Sequence, residues 1–355
     1  MQLAFKGTFA GLAIRICRLV NQLAALLTCV ILDFMETKNR LVSIDAFRGF
    51  AIVGMVLVNY LAGVAWIPAI VKHAPDIGLT LADLVAPFFI FAIGLTYGLS
   101  ARKRIARDGW SSAAGYFVRR WLAIIGIGAL ITAGETWFGE NTAGVDWGVL
   151  QAIGVAGLIT LAVIRLKSWQ RGIIGLAVLV VYQVLLDNFW LSFALHSPHG
   201  GLPGAVDWAG MMILATVFAD LLHDAGQGRR WFPWVSLAML AAGAALALVV
   251  PVSKNRVSST YVLITLAISA LVFWLFYWLM DRSGVRLKVL EAWGKNPIVL
   301  YCLHLVLLGP FVLPGIVGWY AQAPGWLVTL QALALCAALS SIALWFEKKG
   351  WIISV

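Results

Sequence analysis

Charge is scarce in this chain. Only 12% of its 355 residues are Asp, Glu, Lys or Arg, whereas 62% are hydrophobic. Soluble domains carry about 25% charge, so a water-soluble enzyme and a disordered segment are both excluded. Acidic groups are scarcer still, 16 against 26 Lys and Arg, for a net charge of +10. The basic residues punctuate apolar runs instead of lining one soluble face, which argues against a nucleic-acid partner. Cysteine is nearly absent: Cys17, Cys29, Cys302 and Cys336 all lie in apolar runs and none forms a CxxC pair. They read as small buried hydrophobes, with neither a disulfide framework nor a metal site. His196, His199 and His223 fall in loops without metal-ligand spacing. Internal repeats, low-complexity tracts and a soluble domain are also missing.

What is present is a succession of apolar runs, each near the roughly 20 residues that cross a bilayer. They predict spans near 47–66, 80–99, 121–138, 147–164, 172–190, 208–223, 232–250, 260–279, 296–316 and 325–345, joined by loops near 100–120, 191–207 and 280–295. The expected fold is all-α, a polytopic transmembrane bundle of ten core helices. Residues 1–34 stay open between an eleventh helix, an interfacial helix and an extension upstream of a start at Met35, because Arg15 and Arg18 interrupt their apolar run. From Lys38 onward, one set of loops collects nearly all Lys and Arg, and the opposite set holds only Lys72, Lys254 and Arg256. The positive-inside rule then predicts an inner-membrane protein with both ends of the ten-helix unit cytoplasmic, and His73 and Lys254 on the outer side.

Polar residues gather on the first hairpin. Asp45 and Arg48 stand at one end of the first span and Asn59 and Tyr60 at the other. Lys72-His73-Ala74-Pro75-Asp76 follows in the loop, and Asp83 begins the second span. An ionised group near a bilayer centre costs roughly 2.5–3.5 kcal/mol, so such residues mark a site by default. The segments Ser43-Ile44-Asp45-Ala46-Phe47-Arg48-Gly49, Val58-Asn59-Tyr60 and His73-Ala74-Pro75-Asp76-Ile77-Gly78-Leu79-Thr80-Leu81-Ala82-Asp83-Leu84-Val85-Ala86-Pro87 carry a specific pattern. Gly148-Val149-Leu150-Gln151, Pro251-Val252-Ser253-Lys254-Asn255 and Trp293-Gly294-Lys295-Asn296-Pro297 extend it. Together they resemble the heparan-α-glucosaminide N-acetyltransferase family of transmembrane acyltransferases, from about Arg40 onward. Two positions depart from the family pattern, Pro75-Asp76 after the histidine and Ala152 after the glutamine. Both fall where an acceptor would bind.

The resemblance implies a transmembrane acyltransferase domain over 35–355. It would take acetyl-CoA as cytosolic acyl donor, need no metal, and deliver the acyl group to an amine or hydroxyl acceptor, a sugar by analogy, on the outer face. The family's active histidine maps onto His73, a side chain whose ordinary titration range suits a general base; the plainer reading is a loop histidine binding nothing. Asp83 would orient His73 as carboxylates do in triads, or else serve only the helix start after Thr80. Asn59 would offer an amide N–H to the developing oxyanion. Arg48, Lys295, Asn296 and Arg120 would meet the coenzyme phosphates, although Asp45 and Arg48, three apart, also fit a structural ion pair. Lys254, Asn255 and Tyr60 would hold the acceptor. His304 reads as a buried partner of Tyr301. The lipid bilayer is the third partner, and a homodimer stays open. Two further classes remain, a transporter of a small amphipathic solute and an envelope-assembly protein. Neither accounts for His73 and Asp83 so placed.

Overall fold

Val42–Ala62 has no proline and little charge, and it forms α1, a helix of 21 residues. A computed structural model describes residues 41–137, 146–312 and 320–353, in which α1 is the first member of a helical bundle. The reading of residues 1–34 lies outside these. Six helical segments among the described residues are long and apolar enough to cross a membrane, in agreement with an all-α polytopic bundle.

The second, α2, runs Val85–Trp137. Its 53 residues would stretch about 80 Å, far beyond a ~30 Å hydrocarbon core, so it must cross twice. Gly109 makes the break: with φ 77° it adopts a conformation that L side chains avoid. Arg104 and Arg107 pair with Asp108 at this corner. The segment near 100–120, expected as a loop, is therefore helical apart from one residue. Helical propensity continues through its charged residues, which periodicity of apolar groups does not register.

Next come α3 (Val149–Val163), α4 (Ser168–Leu185) and α5 (Gly201–His223). A π turn at Leu186–Trp190 carries α4 on to Leu195. The most enclosed of them is α5, which packs on α2, α3 and α4. After it follow α6 (Gln227–Leu246), which is not among the six spanning candidates, and α7 (Ser259–Tyr277). The expected 280–295 loop contains a short helix, α8 (Lys288–Lys295), and then α9 (Pro297–Val312) and α10 (Gly325–Lys349) complete the bundle.

The start of α1 has unpaired amides like any helix. Those of Val42 and Ser43 donate to the carboxylate of Asp281, 3.2 Å each, so a distant acidic residue caps the helix and complements its dipole. Here α8 lies against α1 backbone to backbone. A Cβ on Gly49 would strike the carbonyl of Leu290, and one on Gly294 would strike the carbonyl of Asp45. Small residues at such crossings let helices approach where lipid supplies no hydrophobic drive. We expect Gly49→Ala and Gly294→Ala to lower the thermal midpoint of the detergent-solubilised protein, at a cost of roughly 1–3 kcal/mol each. Gly115→Ala, with open space around it, should leave the midpoint unchanged or slightly higher in the same fluorescence melt.

Candidate functional site

Two polar rims emerge, at opposite ends of α1. The rim at its C-terminal end is built on Asp83. That side chain is fully buried, and a buried carboxylate must be satisfied by donors. Its Oδ1 lies 2.8 Å from His73 Nδ1. Its Oδ2 accepts from Thr80 Oγ1 (2.9 Å), Thr80 N (3.1 Å) and Ala74 N (3.3 Å). The two readings of Asp83 are thus both realised, one oxygen serving the helix start and the other the histidine. Its main-chain carbonyl accepts from the buried Tyr261 hydroxyl on α7, 2.7 Å away. Since a carboxylate only accepts, Nδ1 of His73 carries the proton and Nε2 is left as the basic atom. The ring is 40% exposed.

The His73 loop is latched to the loop before α7. Gly78 N donates to Val252 O (2.8 Å), Asn255 Nδ2 to Pro75 O (2.6 Å) and Ser253 Oγ to Asp76 Oδ1 (2.7 Å). Arg256 grips Asp76 through Nε (3.0 Å) and Nη2, which holds the Asp76 carboxyl below its ordinary range. Asp76, noted in the sequence as a departure, is the residue that fastens this loop. Lys254 is 8% exposed, and burial pushes its amine down to about 8 against the partial opposition of Asp83.

His199 also arrives here, within electrostatic reach of Lys254 and His73. Sequence reading set it aside as a loop histidine. Its φ of 54° and the φ of 51° at Val257 place two non-glycine residues in the left-handed region. Such strain costs of order 1 kcal/mol or more each and collects at functional sites. Only the fold shows it, because the turn at Gly200 rests on Val257 across a long stretch of sequence.

A cavity of about 360 Å³ opens beside this rim, bordered by Asn59, Asp146, Trp147, Gln151, His199 and Tyr301. Asn59 Nδ2 lies 2.9 Å from His304 Nε2. The buried His304 thus bonds Asn59 while resting beside the Tyr301 ring, whose centroid is 5.1 Å away. His73 and Lys254 stand outside the described lining, and His199, which belongs to it, is within electrostatic reach of both. Tyr60 faces elsewhere. Buried against α10, it donates to Gln331 Oε1 at 2.5 Å.

The opposite rim gathers Arg48, Lys295 and Asn296. Arg48 donates to the carbonyl of Gly294, 3.0 Å from Nε, and lies 3.8 Å from Asp45. Lys295 pairs with Glu347 at 2.5 Å, and Asn296 ties down the segment after α10 through Trp351 O and Ile353 N. The Arg286 guanidinium holds Glu291 below the usual carboxylate range. Arg120 is apart from this group, over the Trp121 ring in the second limb of α2. Among the described residues no cluster of His, Cys, Asp and Glu has the makings of a metal site.

Residues 40–276 match the family described as heparan-alpha-glucosaminide N-acetyltransferase, catalytic. The chain belongs to this family. The match spans α1 to α7 and so includes Asn59, His73, Asp83, Gln151, His199 and Lys254. Similar proteins include the heparan-alpha-glucosaminide N-acetyltransferase of Mus musculus, 37% identical over 143 residues, 38% of this chain and 20% of the mouse protein. The human protein of that name is 38% identical over 187 residues, 46% of this chain and 27% of its own length. Each match therefore covers well under a third of the relative.

The Lys254 amine gives a pH signature. The folded protein releases this proton near pH 8 and the unfolded chain near 10.5. Between these values the unfolded state binds more protons, so stability climbs with pH. Melts of the wild type minus those of Lys254→Met should show this climb between pH 8 and 10.5, at most about 3 kcal/mol. A flat difference curve would remove the buried amine from the account.

Proposed function

We propose that this protein is a membrane-embedded acyltransferase. It takes an acetyl or other short acyl group from acyl-CoA at the Arg48 rim and passes it to an amine or hydroxyl acceptor, a sugar in the first instance, at the His73 rim. The observation that carries this reading is the pairing of His73 Nδ1 with a buried, four-donor Asp83, beside a cavity on which Asn59 opens. The excess of Lys and Arg in loops on the Arg48 side supports a cytoplasmic orientation of that rim, in an inner membrane on this reading.

His73 Nε2 accepts the proton of the attacking amine or hydroxyl, and Asp83 stabilises the imidazolium that forms. The acceptor's nitrogen or oxygen bonds to the thioester carbon while Asn59 donates an N–H to its oxygen. As the carbon–sulfur bond breaks, the imidazolium returns the proton to the departing thiolate. Amide or ester and free CoA result, and the charges balance. An acyl-imidazole at Nε2 is the two-step version of the same transfer. Arg48, Lys295 and Asn296 are the groups offered to the coenzyme's phosphates, while Lys254 and Asn255 border the acceptor side.

With radiolabelled acetyl-CoA and purified protein, His73→Ala should abolish transfer, and Asn59→Ala should reduce it about 10²–10³-fold. Asp83→Asn should fall between them. Full transfer by His73→Ala would sink the reading. Label that stays on wild-type protein when acceptor is withheld marks the two-step route.

A further inference from the structure

His304 is fully buried in the middle of α9, between Leu303 and Leu305 in sequence. An imidazole in such surroundings costs free energy that an apolar side chain of similar size does not. A single polar bond between membrane helices adds only a little stability, so packing alone does not explain a histidine here. Its side-chain bond runs to α1, where Asn59 Nδ2 lies 2.9 Å from His304 Nε2. Asn59 borders the cavity of about 360 Å³, and so does Tyr301, whose ring rests against that of His304. His304 itself stands behind both, outside the described lining. Its route to whatever occupies the cavity is therefore through Asn59.

The roles in that bond follow from chemistry. An amide nitrogen donates and does not accept, so Nε2 accepts and the imidazole proton is on Nδ1. The surroundings of the ring require the same tautomer. It meets the main-chain oxygens of Leu300 and Tyr301, one turn back along α9. Those oxygens repel a bare lone pair and welcome an N–H. With the opposite tautomer, an N–H at Nε2 would face the amide and draw Asn59 Oδ1 round in place of Nδ2. The histidine thus decides which end of the amide it holds. One N–H of Asn59 is taken by His304, the plane of the amide is set, and the second N–H keeps a fixed direction.

We propose that His304 is the positioning residue for Asn59. Accepting at Nε2, it holds the amide so that the second N–H meets the thioester oxygen. This role rests on the acyl-transfer reading. The tautomer and the bond do not, and they give a readout that needs no turnover.

Transfer is measured on the purified full chain in detergent, with radiolabelled acetyl-CoA as donor and glucosamine as acceptor. His304→Leu should lower kcat about ten- to a hundred-fold and leave the KM for acetyl-CoA unchanged. His304→Gln, whose Oε1 can accept in place of Nε2, should recover most of the rate. Added to Asn59→Ala, His304→Leu should cost nothing further, because a residue that acts through Asn59 has no route left. A histidine that only packs would behave otherwise: glutamine would not rescue it, and the two losses would multiply. Nitrogen spectra of protein labelled at histidine should show a bare Nε2 and a protonated Nδ1 for His304. That signal is assigned by its loss in His304→Gln and should shift in Asn59→Ala. Thermal midpoints verify folding, and His304→Phe replaces the leucine variant if that one does not fold. Losses that multiply in the double variant, no rescue by glutamine, or a protonated Nε2 overturn this proposal alone. No transfer by the wild type, or full transfer by His73→Ala, overturns the acyl-transfer reading and the positioning role with it, while the nitrogen signature still reports the bond.

Discussion

A carboxylate buried where neither water nor lipid can solvate it must be surrounded by donors, and the His73 rim is what that requirement builds around Asp83. Four donor atoms meet its two oxygens. Three come from residues that precede it by three to nine positions, so the loop is forced to fold back over the head of α2. The fourth is the imidazole. Its orientation and tautomer are therefore consequences of satisfying Asp83, before any catalytic purpose is considered. The Asp76–Arg256 pair and the Asn255 amide then fasten the same loop to the approach of α7, while Tyr261 holds Asp83 by its main chain. Histidine, carboxylate and Lys254 are thus set by the loop before α2 and the distant approach to α7, which together give a loop residue the fixed position that chemistry needs.

The helix α1 serves as a ruler between the two rims. Arg48 and Asn59 are eleven residues apart, about 16 Å along the axis. Anything that touches both must lie along the helix and reach through about half the depth of a ~30 Å hydrocarbon core. A long, flexible donor with charge at one end and a reactive group at the other has that shape; a compact solute does not. This spacing favours the proposed acyl carrier over a small transported molecule. It also gives the α1–α8 contact a role beyond packing, since the close approach at Gly49 and Gly294 sets where Arg48 and Lys295 stand relative to that axis.

Much of this was legible in the sequence, and the reasons for success and failure are physical. Apolar runs of membrane length fix helices because the bilayer leaves the backbone no other partner. His73 and Asp83 could be paired because a loop of ten residues links them, and short loops limit where their ends can go. Arg48 and Asp45 follow from helical spacing. By contrast, the helical segment around Gly109 was read as a loop, since charged residues satisfy helix propensity while breaking an apolar pattern. His199 was passed over, and for His304 only the neighbour Tyr301 was seen. In both cases the missed partner is remote: Val257 for the turn at His199, and Asn59, 245 positions away, for His304. No periodicity encodes such a contact.

The same argument separates the polar groups that stabilise from those that wait. Around Asp83 every oxygen has its donors, and the cluster is rigid for that reason. Around the cavity the opposite holds: Gln151 has spent its amide protons on Asp146 and Thr132 and keeps an oxygen with none to accept. Folding alone gains nothing from that oxygen, and an apolar side chain of the same shape would cost less to bury. The two sets differ in what folding has done with them. The satisfied set holds the imidazole still. The carbonyl oxygen of Gln151 rests in the room that Gly128 and Gly148 leave for it, so those two glycines, and not a donor, accommodate it.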